Sequence, residues 1–246
     1  MSQLLERVRE LLAAEYADQR TQEWLDLREN MITASDVASA IGENRYESPD
    51  AFVKKKVLRT KWGGNAATAH GTLLEPFVRD LYDERCGHKS HEIGLVRHRE
   101  YPWLGGSADG ITEDGLLLEI KCPLTRKIEA KVPKHYLPQI QLLLEVTDLE
   151  ECDFVQYRPA SVDPPKAEEF VVVRIARDRE WFRTNLPAMQ ASWDRICAGR
   201  THGLCTLDED DTPFEPQFKT ETVCEIVGDD DGRVPPQTEV HDVSGM

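Results

Sequence analysis

The sequence predicts an α/β protein with a mixed central sheet flanked by helices. Three observations carry that expectation. Short apolar runs bounded by turn residues, at 116–121, 152–157 and 169–177, read as strands. Stretches with apolar residues recurring every three to four positions read as helices. Along the chain the order is helices, then strands with a helix among them, then a long closing helix, the order of a layered α/β domain.

Residues 3–17 place Leu4, Leu5, Val8, Leu11 and Leu12 on one helical face. Charges run through this stretch and no small-residue cleavage site follows, so it is expected to be an amphipathic helix rather than a signal peptide, in a cytoplasmic chain. Residues 21–30 form a second expected helix with Trp24 and Leu27 inward. Ile32 to Asp36 opens a short helix that Gly42 closes, with Thr33 as N-cap and Asp36 three positions on, as in a capping box. A helix start offers free N–H groups and suits an anion, and Arg28 is close by; a plain cap with a surface arginine is the simpler alternative. Ser48-Pro49-Asp50 caps the next helix, which carries Lys54, Lys55, Lys56 and Arg59. Such a lysine cluster is commonly a solvated face, and beside a polyanion it would make phosphate contacts.

After a loop at 61–65, a helix over 67–86 is expected to turn Leu73, Leu74, Phe77, Val78 and Leu81 inward. Glu75 among them needs a partner, either Arg79 at i+4 or a metal. A strand is expected over 93–98, and residues 125–131 are basic and line a groove. A helix over 134–147 tolerates Pro138 in its first turn and sets Tyr136 and Gln139 on one face, with Gln141 in packing. The segment 159–166 makes a loose hairpin between the last two strands. A helix over 178–199 carries Trp181, Phe182 and Trp193. From Thr201 the pattern fades into acidic runs at 208–211 and 229–231, so the expected organisation is one domain over 1–204 and an acidic C-terminal tail over 205–246, either a contact segment or a solvating one.

Composition sets the limits. Hydrophobic residues make up 40% of the 246, enough for a real core, and no run approaches the roughly 18 apolar residues of a membrane span. The six cysteines include no Cys-x2-Cys pair, so no zinc ribbon or iron–sulfur cluster is indicated. Net charge is −15, but residues 205–246 contribute −10 of it, while 45–61 hold six basic residues against Glu47 and Asp50. Local field, not net charge, decides whether DNA binds.

The chemistry concentrates in Ser107–Pro123, SADGITEDGLLLEIKCP. The apolar run Leu116-Leu117-Leu118 leads into Glu119-Ile120-Lys121. On a strand, Glu119 and Lys121 share a face and Leu118 and Ile120 take the other. The turn at 113–115 can fold Asp109 back beside them. Two carboxylates and an ammonium at the end of a greasy sheet suit metal-assisted phosphodiester cleavage, because Mg2+ uses one or two carboxylates plus waters and phosphate oxygens. A second Glu-x-Lys, Glu129-Ala130-Lys131, has no apolar strand leading into it and reads as a surface pair.

The ordered blocks Trp24-x3-Arg28-x3-Ile32-Thr33-Ala34-Ser35, Gly71-x3-Glu75, Ser107-Ala108-Asp109-Gly110, Leu118 to Pro123 and Tyr136-x2-Gln139-Ile140-Gln141 resemble the phage-type recombination exonucleases. These are the lambda exonuclease and YqaJ viral recombinase family of the PD-(D/E)xK nuclease superfamily. One departure is Ala108, where the superfamily name has proline. The resemblance implies a restriction-endonuclease-like core and a 5′-to-3′ double-stranded DNA exonuclease that releases mononucleotides and leaves 3′ overhangs. It implies two Mg2+ or Mn2+ ions per active site, held by Asp109, Glu119, the Ile120 carbonyl and Glu75. Lys121 would position the attacking water and Gln139 would steady it. Arg28, Ser35 and Thr33 would hold the 5′-phosphate of a DNA end, and Arg45 would reach into the duplex. It further implies a homotrimer ring, a single-strand annealing protein as partner, and a phage or prophage chain in a bacterial host. Two rivals stand beside it: a restriction-type endonuclease, which would cut closed circles, and a DNA-end-binding protein that releases no nucleotide.

Overall fold

The computed structural model describes residues 3–60, 63–162 and 165–203; the acidic tail proposed for 205–246 lies outside them. Helix α1 (Gln3–Ala13) buries Val8 and Leu11 and stops short of the expected residue 17. Helix α2 (Gln22–Glu29) is capped by Thr21, whose hydroxyl accepts the Trp24 N–H; Trp24 and Leu27 are half-buried. Strand β1 (Ile32–Thr33), the short helix α3 (Val37–Ala40) and α4 (Pro49–Val57) follow. Ser48 caps α4 as expected, with its hydroxyl accepting from Ala51. Helix α5 (Ala66–Cys86) is capped by Asn65 and ends at Gly87, which takes the left-handed conformation at φ 73°.

Then come β2 (Ser90–His91), β3 (Val96–Arg97), β4 (Leu104–Gly106), β5 (Gly110–Thr112) and β6 (Leu116–Lys121). A 3-10 turn, Lys134–Tyr136, leads into α6 (Leu137–Thr147), where Pro138 sits in the first turn. Strands β7 (Glu151–Arg158), β8 (Ser161–Val162), β9 (Pro165–Lys166) and β10 (Glu169–Ala176) precede α7 (Arg179–His202), capped by Asp178.

Among the described residues, five strands form a mixed sheet in the order β10-β7-β6-β5-β2, with β6 and β7 parallel and the other pairs antiparallel. A smaller sheet runs β1-β4-β3. The parallel pair is possible because α6 carries the chain back between β6 and β7. Alternation along β6 splits the core. Leu118 and Ile120 pack with Val78 and Tyr82 of α5 and Val155 and Tyr157 of β7. Leu117 joins the larger cluster on the opposite face, with Ile140 and Leu144 of α6 and Trp181 of α7. Burying Leu117 and Leu118 fully stabilises the fold by about 1.5–3 kcal/mol each.

Several expectations are corrected. The strand expected over 93–98 shortens to β3 (Val96–Arg97), in a different sheet from β2, because residues 92–95 pack against the N-terminal segment instead, Gln19 donating to the Ile93 carbonyl. A Cβ at Gly94 would fall 2.3 Å from Cβ of Tyr16. Leu73 and Phe77 point outward, 77% and 51% exposed; the buried stripe of α5 runs through Val78 and Tyr82 instead. Thr33 ends a strand rather than capping a helix, and α3 starts four residues later. The lysine row on α4 is split: Lys56 turns inward, Lys55 pairs with Glu47 at 2.6 Å, and Lys54 and Arg59 stay exposed.

Gly105 lets β3 lie against β4: a Cβ there would sit 2.8 Å from the Val96 carbonyl oxygen and 2.8 Å from Sδ of Met31. Gly105→Ala is expected to cost about 1–3 kcal/mol through overpacking against backbone, read as a lower urea midpoint with an unchanged m-value.

Candidate active site

The end of β6 carries Glu119 and Lys121 on the face toward α6. Glu119 is buried, 1% exposed, and the Lys121 ammonium is bonded to its Oε1. Gln139, on the first turn of α6, donates from Nε2 to the same oxygen at 2.6 Å. The other oxygen, Oε2, is buried with no hydrogen-bond partner among the described residues. Asp109 precedes β5 and is tied to β6 twice: its N–H donates to the Leu118 carbonyl (3.1 Å), and its Oδ2 accepts from the Ile120 N–H (2.6 Å). Ile120 thereby sits with its backbone at the site and its side chain in the core.

Glu75 comes from α5, on the other side of the sheet. It pairs with Arg20 at 2.9 Å, not with Arg79 as the i+4 alternative supposed. Arg79 instead donates to the Asp109 carbonyl (3.0 Å) and lies 3.5 Å from Glu92. The three carboxylates feel one another. Burial pushes Glu119 up to about 8, against the pull of Lys121 and with the added repulsion of Asp109 and Glu75. Burial pushes Glu75 up to about 7, with Asp109 adding and Arg20 opposing. Asp109 is raised by burial despite Lys121, the Ile120 N–H, Arg20 and Arg79. Lys121 is raised in turn because Glu119 and Asp109 outweigh its burial.

Among the described residues no three Asp, Glu, His or Cys side chains close on a single ion. A cation here would rest on one or two carboxylates and complete its shell with backbone carbonyl, water and phosphate oxygens, as Mg2+ does. The orphaned Oε2 of Glu119 and the mutual repulsion of three acidic groups fit such a hard divalent cation. The second Glu-x-Lys is a surface pair, Lys131 lying 3.0 Å from Glu129.

A second polar cluster lies where α2 meets β1. Arg28 donates to the Ser35 hydroxyl (2.8 Å), and the Ser35 and Thr33 hydroxyls are 3.0 Å apart. The Thr33 hydroxyl donates to Asp36 (2.7 Å), so the proton between the two hydroxyls comes from Ser35. Asp36 also accepts the Thr33 N–H (3.2 Å) and pairs with Lys56 (2.7 Å). Sequence reasoning found Arg28, Thr33 and Ser35 but missed Asp36 and Lys56 as their support.

The link between the clusters is Trp24. Its ring lies 4.3 Å from the Arg28 guanidinium, and its indole N–H donates to Ser107 (2.9 Å), two residues before Asp109. Among the described residues, Arg45 bonds to neither cluster. It stacks on Tyr46 at 4.5 Å, and after burial its charge, with those of Arg126 and Lys121, holds His135 below the usual histidine value. Arg126, from the basic segment, donates to Gln156 (2.9 Å).

A mixed sheet with this acidic strand end is the core of the PD-(D/E)xK-type phage exonucleases. A solved alkaline exonuclease from Laribacter hongkongensis superposes with a TM-score of 0.63 at 28% identity, covering 74% of this chain and 95% of that one. It has also been solved in complex with dAMP. Residues 23–150 match the YqaJ-like viral recombinase domain, and the chain belongs to that family. A protein of Acanthamoeba polyphaga mimivirus, R354, is 30% identical over 173 residues, 63% of this chain and 31% of its own length. Protein D345L of African swine fever virus is 31% identical over 155 residues, 50% of this chain and 44% of its own. The chain thus spans about a third to a half of the length of these viral relatives. No helix among the described residues is long and apolar enough to cross a membrane.

Burial pushes the Asp36 carboxyl up, but Lys56 and Arg28 outweigh it and hold the group below its ordinary value of 3.8. The stability it contributes is present above pH 3.8 and is lost as pH falls through the lower folded value. Asp36→Asn is expected to cost about 1–3 kcal/mol at pH 7. In paired thermal melts the gap to the parent chain should close as the pH drops below 3.8; a gap constant down to pH 2.5 would exclude this linkage.

Proposed function

We propose that this chain is a divalent-metal-dependent exonuclease that digests one strand of double-stranded DNA from its 5′ end, releasing mononucleotides and leaving a 3′ overhang. The observation that carries the reading is the buried Glu119, bonded to Lys121 and Gln139 through one oxygen and unpartnered at the other, beside an Asp109 anchored to the same strand. A buried carboxylate without a partner is costly, and a site that keeps one has a use for it. Family membership and the likeness to an alkaline exonuclease support the same reading.

Asp109, Glu119, the Ile120 carbonyl and Glu75 would hold the Mg2+ or Mn2+ ions, two per site by family resemblance. Bound there, the metal would neutralise phosphate charge and make its water more acidic. The protein's own groups do the rest. Lys121, fixed against Glu119, offers its remaining N–H bonds to the attacking water or to charge developing on the phosphate. Gln139 holds Glu119 in one rotamer through one oxygen, which leaves the other buried and unpartnered. The Ile120 N–H fixes Asp109. Arg28 and Ser35, braced by Thr33, Asp36 and Lys56, take the terminal 5′-phosphate, and Trp24 fixes the distance from that pocket to Asp109. Arg45 lies beside His135 and the Lys121 side of the cleft, where it would meet the duplex near its end. A ring of three copies, an annealing partner that coats the 3′ strand, a catalytic domain over 1–204 and a contact role for the tail complete the proposal.

Lys121→Ala is expected to lower cleavage of a linear duplex by about 100-fold or more while retaining binding of the same duplex; full activity in that variant would remove Lys121 from the mechanism. Removing the 5′-phosphate should slow the parent chain by about tenfold and leave Arg28→Ala unaffected. Equal rates on both substrates would rule out the phosphate pocket, and cutting of closed circular DNA would rule out dependence on ends.

A further inference from the structure

Arg20 occupies a backbone position that arginine rarely takes. Its φ is 71°, in the left-handed region, where a side chain is strained and glycine is not. The segment around it is firmly held. Gln19 donates to the carbonyls of Ile93 (2.9 Å) and Ala108 (3.3 Å), the latter adjoining Asp109. Thr21 donates from both N–H (3.2 Å) and hydroxyl (2.7 Å) to the Asp18 carbonyl. A chain needing only a turn here would gain by placing glycine at this position. The arginine side chain therefore does something that offsets the strain.

What it does is visible in part. One Nη donates to Glu75 at 2.9 Å, yet the side chain stays 47% exposed while Glu75 is only 13% exposed. Its other N–H groups have no bond to the described residues. A guanidinium held by Glu75 on one side, near enough to Asp109 to act on its charge and otherwise open, is oriented for a phosphate. We infer that Arg20 is a phosphate-binding residue of the cleft, held by Glu75 and presenting its outer N–H groups to the DNA backbone next to the bond that is cut. This rests on the exonuclease reading above and adds a contact outside the Arg28 pocket.

The test compares Arg20→Gly and Arg20→Lys with the parent chain. Duplex-end binding is measured by fluorescence anisotropy over a salt series with Mg2+, each change placed on the non-cleaving Lys121→Ala background. Cleavage kinetics are measured with Lys121 present. Arg20→Gly relieves the backbone and should melt at or above the parent temperature, while its plot of log Kd against log salt becomes shallower by about one unit, the signature of one lost phosphate contact. Its KM should rise about tenfold with a smaller change in kcat. Arg20→Lys keeps the charge and should keep the slope. If Arg20→Gly instead lowers the melting temperature and leaves slope and KM unchanged, Arg20 is a structural ion pair and the inference fails. If the parent chain binds no duplex end, the exonuclease reading falls as well; normal parental binding with an unchanged slope in Arg20→Gly overturns Arg20 alone.

Discussion

A carboxylate in the middle of a buried sheet is the constraint around which this domain is arranged. Glu119 follows three leucines on a strand with neighbours on both sides, and hydrophobic burial of those leucines holds it where water cannot fully solvate it. Everything polar nearby answers that placement. Lys121 and Gln139 converge on one oxygen from two different elements, and Asp109 and Glu75 raise the local negative charge rather than relieve it. The fold spends hydrophobic stability to keep one oxygen unsatisfied.

The second cluster depends on the first through rigid parts. Trp24 touches Arg28 with its ring face and Ser107 with its indole N–H, so one side chain spans from the Arg28 cluster to the chain just before Asp109. The relay from Arg28 through Ser35 and Thr33 to Asp36 ends on a lysine from α4 that also donates to the carbonyls of Arg28 and Met31. The basic residues of α4 thus divide: Lys56 braces the cluster from behind, while Lys54 remains at the surface.

Much of this was legible in the chain. Period-two alternation through Leu116–Lys121 gave the face on which Glu119 and Lys121 lie, and the Gly115 turn returned Asp109 to them, because both signals are local. The helix over Ala66–Cys86 was legible in extent but not in orientation: its apolar residues nearly encircle it, and periodicity alone does not choose between Leu73 and Tyr82 as the inward side. Ion-pair partners were the least legible. Glu75 takes Arg20, 55 residues away, over Arg79 one turn along, since tertiary packing turns Arg79 toward the Asp109 carbonyl. Thr33 and Asp36 carried the spacing of a cap and are a strand end and its brace, a distinction only the pairing of Ile32 with Leu104 decides.

The anchoring of Asp109 by the Ile120 N–H ties the proposed chemistry to strand register. Because side chains alternate, a slip of one residue between β5 and β6 would turn Leu118 and Ile120 into the cleft and drive Glu119 among Val78, Tyr82 and Val155. Such a copy would lose its core and its acidic groups together. Half-competent conformers would therefore be excluded by the same energetics that discards misfolded ones, so any cellular check on folding would also vet the proposed chemistry.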